Sequence, residues 1–105
     1  MCTGDGALVL TSSLDSIAKL WSIETEMCTQ TFAGHTDMVS SAVFSGDGTS
    51  VLTSSHDSTA KMWSIETGMC AQTFAGHTDK VRSAVFSGDG ASVLTSSLDS
   101  IAKLW

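Results

Sequence analysis

Trp21, Trp63 and Trp105 stand 42 residues apart, and nearly everything between them recurs. Gly34-His35-Thr36-Asp37 returns as Gly76-His77-Thr78-Asp79. Gly4-Asp5-Gly6 returns as Gly46-Asp47-Gly48 and Gly88-Asp89-Gly90, and Lys19, Lys61 and Lys103 keep the same spacing. Residues 34–63 and 76–105 agree at 24 of 30 positions, and residues 4–21 and 88–105 at 17 of 18. A fixed period of this length restricts the chain to a repeat architecture, in which each unit packs chiefly on its neighbours. Such a chain offers surfaces to partners more readily than a single catalytic cleft.

Within one unit, residues 34–75, the pattern reads as strands. Val39 to Phe44 (VSSAVF) is short, β-branched and aromatic. Ser45-Gly46-Asp47-Gly48 follows, and Asp-Gly between two such runs is a strong hairpin signal. Ser50 to Ser55 gives a second strand, His56-Asp57-Ser58 a tight turn, Thr59 to Ser64 a third strand, and Met69 to Phe74 a fourth. No window keeps a helical apolar period over 11 residues. Four short antiparallel strands in about 40 residues describe one blade of a propeller.

On these motifs the chain resembles the WD40-repeat family. Gly-His opens the unit, SGDG stands where the family has its SPDG hairpin, LTSSxD matches the second strand and turn, and AKxW the third strand. The family's Trp-Asp pair is Trp-Ser here, at Trp21-Ser22 and Trp63-Ser64. The resemblance implies an all-β fold of four-stranded antiparallel blades forming an incomplete propeller. It divides the chain into a partial blade at 1–33 lacking its first strand, a complete unit at 34–75, and a partial unit at 76–105 lacking its last strand.

The resemblance also implies a structural tetrad in each unit. Its members are His35, Thr53, Asp57 and Trp63; then His77, Thr95, Asp99 and Trp105; and, in the first unit, Thr11, Asp15 and Trp21. Hydroxyl, imidazole and carboxylate also make a hydrolase triad. A triad is needed once, however, whereas a packing device is needed in every blade. A non-enzymatic role is therefore expected. Of the six differences between residues 34–63 and 76–105, three fall where the resemblance places partner contacts: Met38/Lys80, Ser40/Arg82 and His56/Leu98. Leu14 is the first unit's counterpart of the last pair. These seven residues are the candidate protein-binding set, with drift at exposed positions as the competing reading. Lys80 and Arg82 would form a basic spot suited to an acidic or phosphorylated peptide.

Composition narrows the partners. The formal net charge is −6, which disfavours nucleic-acid backbones and anionic membrane surfaces. No apolar run approaches the ~20 residues of a membrane span, and MCTGDGALVL carries no leader pattern. Cys2, Cys28 and Cys70 have no metal or redox spacing, and the three histidines do not cluster, so no metal or cofactor is expected. An intracellular, cytoplasmic setting follows from the unpaired cysteines. The expected partners are proteins or peptides, with self-association through open blade edges as an alternative. Two and a half blades are fewer than the four to eight of a ring, so either the chain belongs to a longer propeller or copies assemble.

Overall fold

Short runs of Val, Leu, Ile, Thr, Trp and Phe between Gly, Asp and Ser turns become strands, because branched and aromatic side chains suit a pleated, half-buried surface. The computed structural model describes residues 8–12, 15–23, 25 and 27–105. Ten strands follow in order: β1 (Leu8–Ser12), β2 (Ile17–Ser22), β3 (Cys28–Ala33), β4 (Val39–Phe44), β5 (Ser50–Ser55), β6 (Thr59–Ser64), β7 (Cys70–Ala75), β8 (Val81–Phe86), β9 (Val93–Ser97) and β10 (Ala102–Leu104). No helix occurs among the described residues.

The strands pair with their chain neighbours into three separate antiparallel sheets, β1-β2-β3, β4-β5-β6-β7 and β8-β9-β10, none of them closed into a barrel. Hairpin chemistry explains the order. In the β4–β5 turn the Gly48 N–H donates to the Ser45 carbonyl at 3.1 Å, with Gly48 at φ 74°. That left-handed conformation suits glycine. Asp47 stiffens the turn by accepting from the Ser45 hydroxyl at 2.6 Å and the Thr49 amide at 3.0 Å. The fourth strand runs over Cys70–Ala75, one residue later than Met69 to Phe74. The register shifts between Met62 and Trp63, so that Trp63 faces Cys70 and Met62 faces Gln72. Such a bulge displaces the strand start, and the Met69 carbonyl instead closes the turn by accepting from the Ser64 amide at 3.0 Å.

The core lies between sheets. Ala18, Leu20 and Phe32 of the first sheet meet Val39, Val51 and Trp63 of the second. Leu52 and Ala60 of the second meet Ala84 and Val93 of the third, flanked by Phe74 and Trp105. Each large side chain buried this way contributes about 1.5–3 kcal/mol. Aromatic contacts join the junctions: Phe32 and Trp63 have ring centroids 5.6 Å apart, and so do Phe74 and Trp105.

Polar fasteners complete the junctions. The Gln30 side-chain amide on β3 donates to the Ile65 carbonyl, in the turn after β6 of the second sheet, at 2.9 Å. The Ser40 hydroxyl on β4 donates to the Val81 carbonyl of β8 at 2.8 Å. Every buried side-chain nitrogen and oxygen among the described residues has a partner.

Candidate functional site

Strand alternation places Val51, Thr53 and Ser55 on one face of β5, and β6 returns antiparallel with Val51 opposite Trp63 and Thr53 opposite Lys61. The Trp63 indole N–H donates to Thr53 Oγ1 at 2.9 Å. Thr53 Oγ1 lies 2.7 Å from His35 Nε2, and His35 Nδ1 lies 2.9 Å from Asp57 Oδ2. A neutral ring with its proton on Nδ1 closes the chain: it accepts from the hydroxyl and donates to the carboxylate. The four side chains thus tie β6, β5, the β5–β6 turn and the segment entering β4.

Asp57 does more than face the ring. It accepts the Thr36 amide at 3.0 Å, the Thr59 amide at 2.9 Å and the Thr59 hydroxyl at 2.6 Å. Burial opposes its ionisation, yet the Thr59 hydroxyl, the His35 ring and the Thr36 amide outweigh burial and hold its carboxyl at about 2. Burial pushes His35 below 6.5, against the raising influence of the Asp57 hydrogen bond. Protonating Nε2 would also turn the Thr53 hydroxyl toward its remaining acceptor, the Lys61 carbonyl, at 3.4 Å. Thr59, which the motif reading did not include, is the fifth member of this group.

The third sheet repeats the arrangement. Trp105 donates to Thr95 at 2.9 Å, His77 lies 2.7 Å from Thr95 and 3.0 Å from Asp99, and Asp99 accepts the Thr78 amide at 3.0 Å. Ile101 stands where Thr59 does, so Asp99 accepts its amide at 3.0 Å but no hydroxyl. Burial opposes ionisation of Asp99, but the Thr78 amide and His77 still hold its carboxyl below the ordinary range. In the first sheet Trp21 donates to Thr11 at 2.9 Å, and Asp15 accepts the Ile17 amide at 3.3 Å.

This geometry suits a brace better than a hydrolase. Thr53 is fully buried, and its oxygen is capped by an indole N–H, so no carbonyl carbon can reach it. Among the described residues no three His, Cys, Asp or Glu side chains gather to hold a metal ion.

The variable residues fall in two pairs. The His56 amide donates to the Met38 carbonyl at 2.9 Å, and the Leu98 amide to the Lys80 carbonyl at 3.0 Å, so each pair sits side by side at the same end of its sheet. Lys80 and Leu98 are exposed, Met38 and His56 partly so. Ser40 and Arg82 lie one step further in, at bulges between Val39 and Ser41 and between Val81 and Ser83. Ser40 is drawn inward: besides Val81, its hydroxyl meets that of Ser54 at 2.9 Å. Arg82 at the equivalent place is exposed. Leu14, with Cys2 and Gly4-Asp5-Gly6, lies outside the described residues.

A model of the family described as WD domain, G-beta repeat, matches residues 26–64 and 68–105, well over half of the chain. The chain belongs to the WD40 family. No curated protein matches it. The three open sheets are accordingly WD40 propeller blades in an incomplete set. WD40 repeats are generally protein-interaction scaffolds and typically carry no catalysis of their own. Among the described residues no helix is long and apolar enough to cross a membrane.

Proposed function

We propose that the chain is a non-enzymatic scaffold segment that binds a protein or peptide through the blade ends carrying Met38, His56, Lys80 and Leu98, with Arg82 beside them. On this reading the units run 1–33, 34–75 and 76–105, and the tetrads hold the blade ends in shape. The observation that carries it is the pairing of backbones that sets Met38 against His56 and Lys80 against Leu98. Two of the six positions that differ between the near-identical units, Met38/Lys80 and His56/Leu98, are thereby brought side by side on a braced rim. Lys80 and Arg82 give that rim local positive charge on a chain of net charge −6, which suits an acidic or phosphorylated peptide. The exposed free thiols of Cys28 and Cys70 go with a reducing, intracellular setting.

Binding of a fluorescent phosphoserine-containing acidic peptide tests this reading. Lys80→Ala and Arg82→Ala are expected to weaken binding by roughly tenfold each, as for loss of a charge-assisted hydrogen bond. Lys61→Ala, whose ammonium instead donates to Thr73 at 3.1 Å, should leave it unchanged. Equal affinity in all three variants would overturn the reading. A second reading, blades whose partners are other blades, is favoured by a separate observation: among the described residues Val9 of the first sheet and Leu94 and Leu104 of the last are large apolar side chains left 41%, 46% and 72% exposed.

A further inference from the structure

The Gly-Asp-Gly turns at 46–48 and 88–90 do more than reverse the chain. The β4–β5 and β8–β9 hairpins stand side by side where the second sheet meets the third, and a cleft of about 540 Å³ opens between them. Clefts that take ligands run from about 300 to 1,000 Å³. The cleft lies at an internal junction, with a whole hairpin on either wall. β4 and β8 start beside Met38 and Lys80 and run away from them, so both turns lie at the far end of their sheets from that rim.

One carboxylate stands on each wall, Asp47 and Asp89, both exposed, and Met62 of β6 and Phe86 of β8 supply an apolar lining, both partly buried. Each carboxylate is anchored through one oxygen. Asp47 Oδ1 accepts from the Ser45 hydroxyl at 2.6 Å, the Thr49 amide at 3.0 Å and the Thr49 hydroxyl at 2.8 Å. Asp89 Oδ1 accepts from the Ser87 hydroxyl at 2.6 Å and the Ala91 amide at 3.0 Å. In both, Oδ2 remains to accept from a visitor. The Ser45 hydroxyl, with the Thr49 amide and hydroxyl, holds the Asp47 carboxyl at about 2, and the Ser87 hydroxyl and Ala91 amide hold that of Asp89 below the ordinary range. Among the described residues no third His, Cys, Asp or Glu joins them to hold a metal ion.

Two ionised carboxylates on facing walls, with a thioether and an aromatic ring between, fit a group that is cationic at its tip and apolar along its stem. Arginine suits this better than lysine: its planar fork sends N–H groups in several directions, pairs with carboxylates and stacks on an aromatic ring. We propose that this cleft takes an arginine side chain of a partner peptide, its guanidinium donating to Asp47 and Asp89 and its methylene stem lying on Met62 and Phe86. The net charge of −6 draws a cationic segment toward the chain. The cleft has the opposite charge to the Lys80 and Arg82 rim and stands whether or not that rim binds a peptide.

An NMR titration of the whole ¹⁵N-labelled chain with the capped peptide Gly-Ala-Arg-Ala-Gly tests it. Amides of residues 45–50 and 86–90 are expected to shift and saturate, with a Kd of about 1 mM or tighter. The same peptide with citrulline for arginine keeps the shape and loses the charge, and should bind at least about tenfold more weakly. So should Asp47→Asn and Asp89→Asn, each of which keeps an accepting oxygen for its turn but loses a charge-assisted bond. Glu66→Gln removes the same charge away from the cleft and should bind as the wild type does. No saturable shift in the wild type overturns the proposal whether or not the variants fold. Equal binding of the citrulline peptide, or equal loss in all three variants, also overturns it, the latter by reducing the effect to overall charge. Shifts confined to other residues place arginine elsewhere and overturn the cleft. Phosphoserine-peptide affinity of Asp89→Asn keeps the two sites apart: it should match the wild type even where arginine binding is lost.

Discussion

The Trp63 indole lies across the backbone of Gly34: a Cβ at that position would come within 2.9 Å of the ring's Cη2. Gly76 and Trp105 stand in the same relation, again at 2.9 Å. The ring cannot retreat, because its N–H is held by Thr53 and its face by Phe32. Glycine before the histidine is thus a packing requirement.

Gly34→Ala should therefore destabilise the protein by about 1–3 kcal/mol, the usual cost of an extra methyl in a filled core. Urea unfolding followed by tryptophan fluorescence measures it. A midpoint equal to the wild type would show that the indole can move.

Asp57→Ala leaves the His35 ring, two amides and the Thr59 hydroxyl without their acceptor. The expected loss is about 1–3 kcal/mol, from the buried donors left unpaired. Asp99→Ala should cost less, since Ile101 offers Asp99 no hydroxyl. Thermal unfolding of both variants gives the order, and a double-mutant cycle with His35→Phe gives the coupling. An Asp57→Ala variant as stable as the wild type would refute the brace.

Acid should unfold the chain in two stages. The folded His35 ring binds a proton less readily than the unfolded one, whose value is 6.5. Its contribution is complete above 6.5 and falls away as pH drops below it. Asp57 sits at about 2 when folded against 3.8 unfolded, so its contribution is complete above 3.8 and is lost as pH falls from there toward 2. A melting temperature recorded down through both windows should decline in each. A flat profile just below 6.5 would mean that the ring takes up its proton without loss of packing.

Ser16, Ser58 and Ser100 all adopt positive φ, of 72°, 74° and 70°. A non-glycine residue there carries about 1 kcal/mol of strain. Ser58→Gly relieves it, less the ~0.5–1 kcal/mol of added freedom in the unfolded chain, and should shift the melting temperature upward by at most a few degrees. Ser58→Val, with a branched Cβ in the same conformation, should lower it clearly. If Gly and Val behave alike, the turn has another backbone geometry open to it.

The period, strand order and strands over 39–44, 50–55 and 59–64 could all be read from residue pattern, because alternation and turn chemistry are local. The tetrad partners could be named because the resemblance to WD40 repeats implies them, and their recurrence in each unit spoke against a catalytic triad. Two features depend on a contact between sheets or on a backbone irregularity, which local pattern does not report, and a third was hidden by the repeat. The start of β7 moved because of the bulge beside Trp63. The Ser40 hydroxyl is engaged with Val81, a residue 41 positions away. Thr59 joins Asp57 in one unit but is an isoleucine in the next, so the repeat itself masked it. A hydroxyl in only one of two copies could have been found by asking which differences change hydrogen-bonding capacity.

The stacking of Phe32 on Trp63, and of Phe74 on Trp105, means that a tryptophan finds its cover in the preceding copy. Gene duplication along this chain would therefore lengthen it by a part and its fitting together. Each newcomer would arrive already keyed to the member before it, and lengthening would need no fresh invention of an interface.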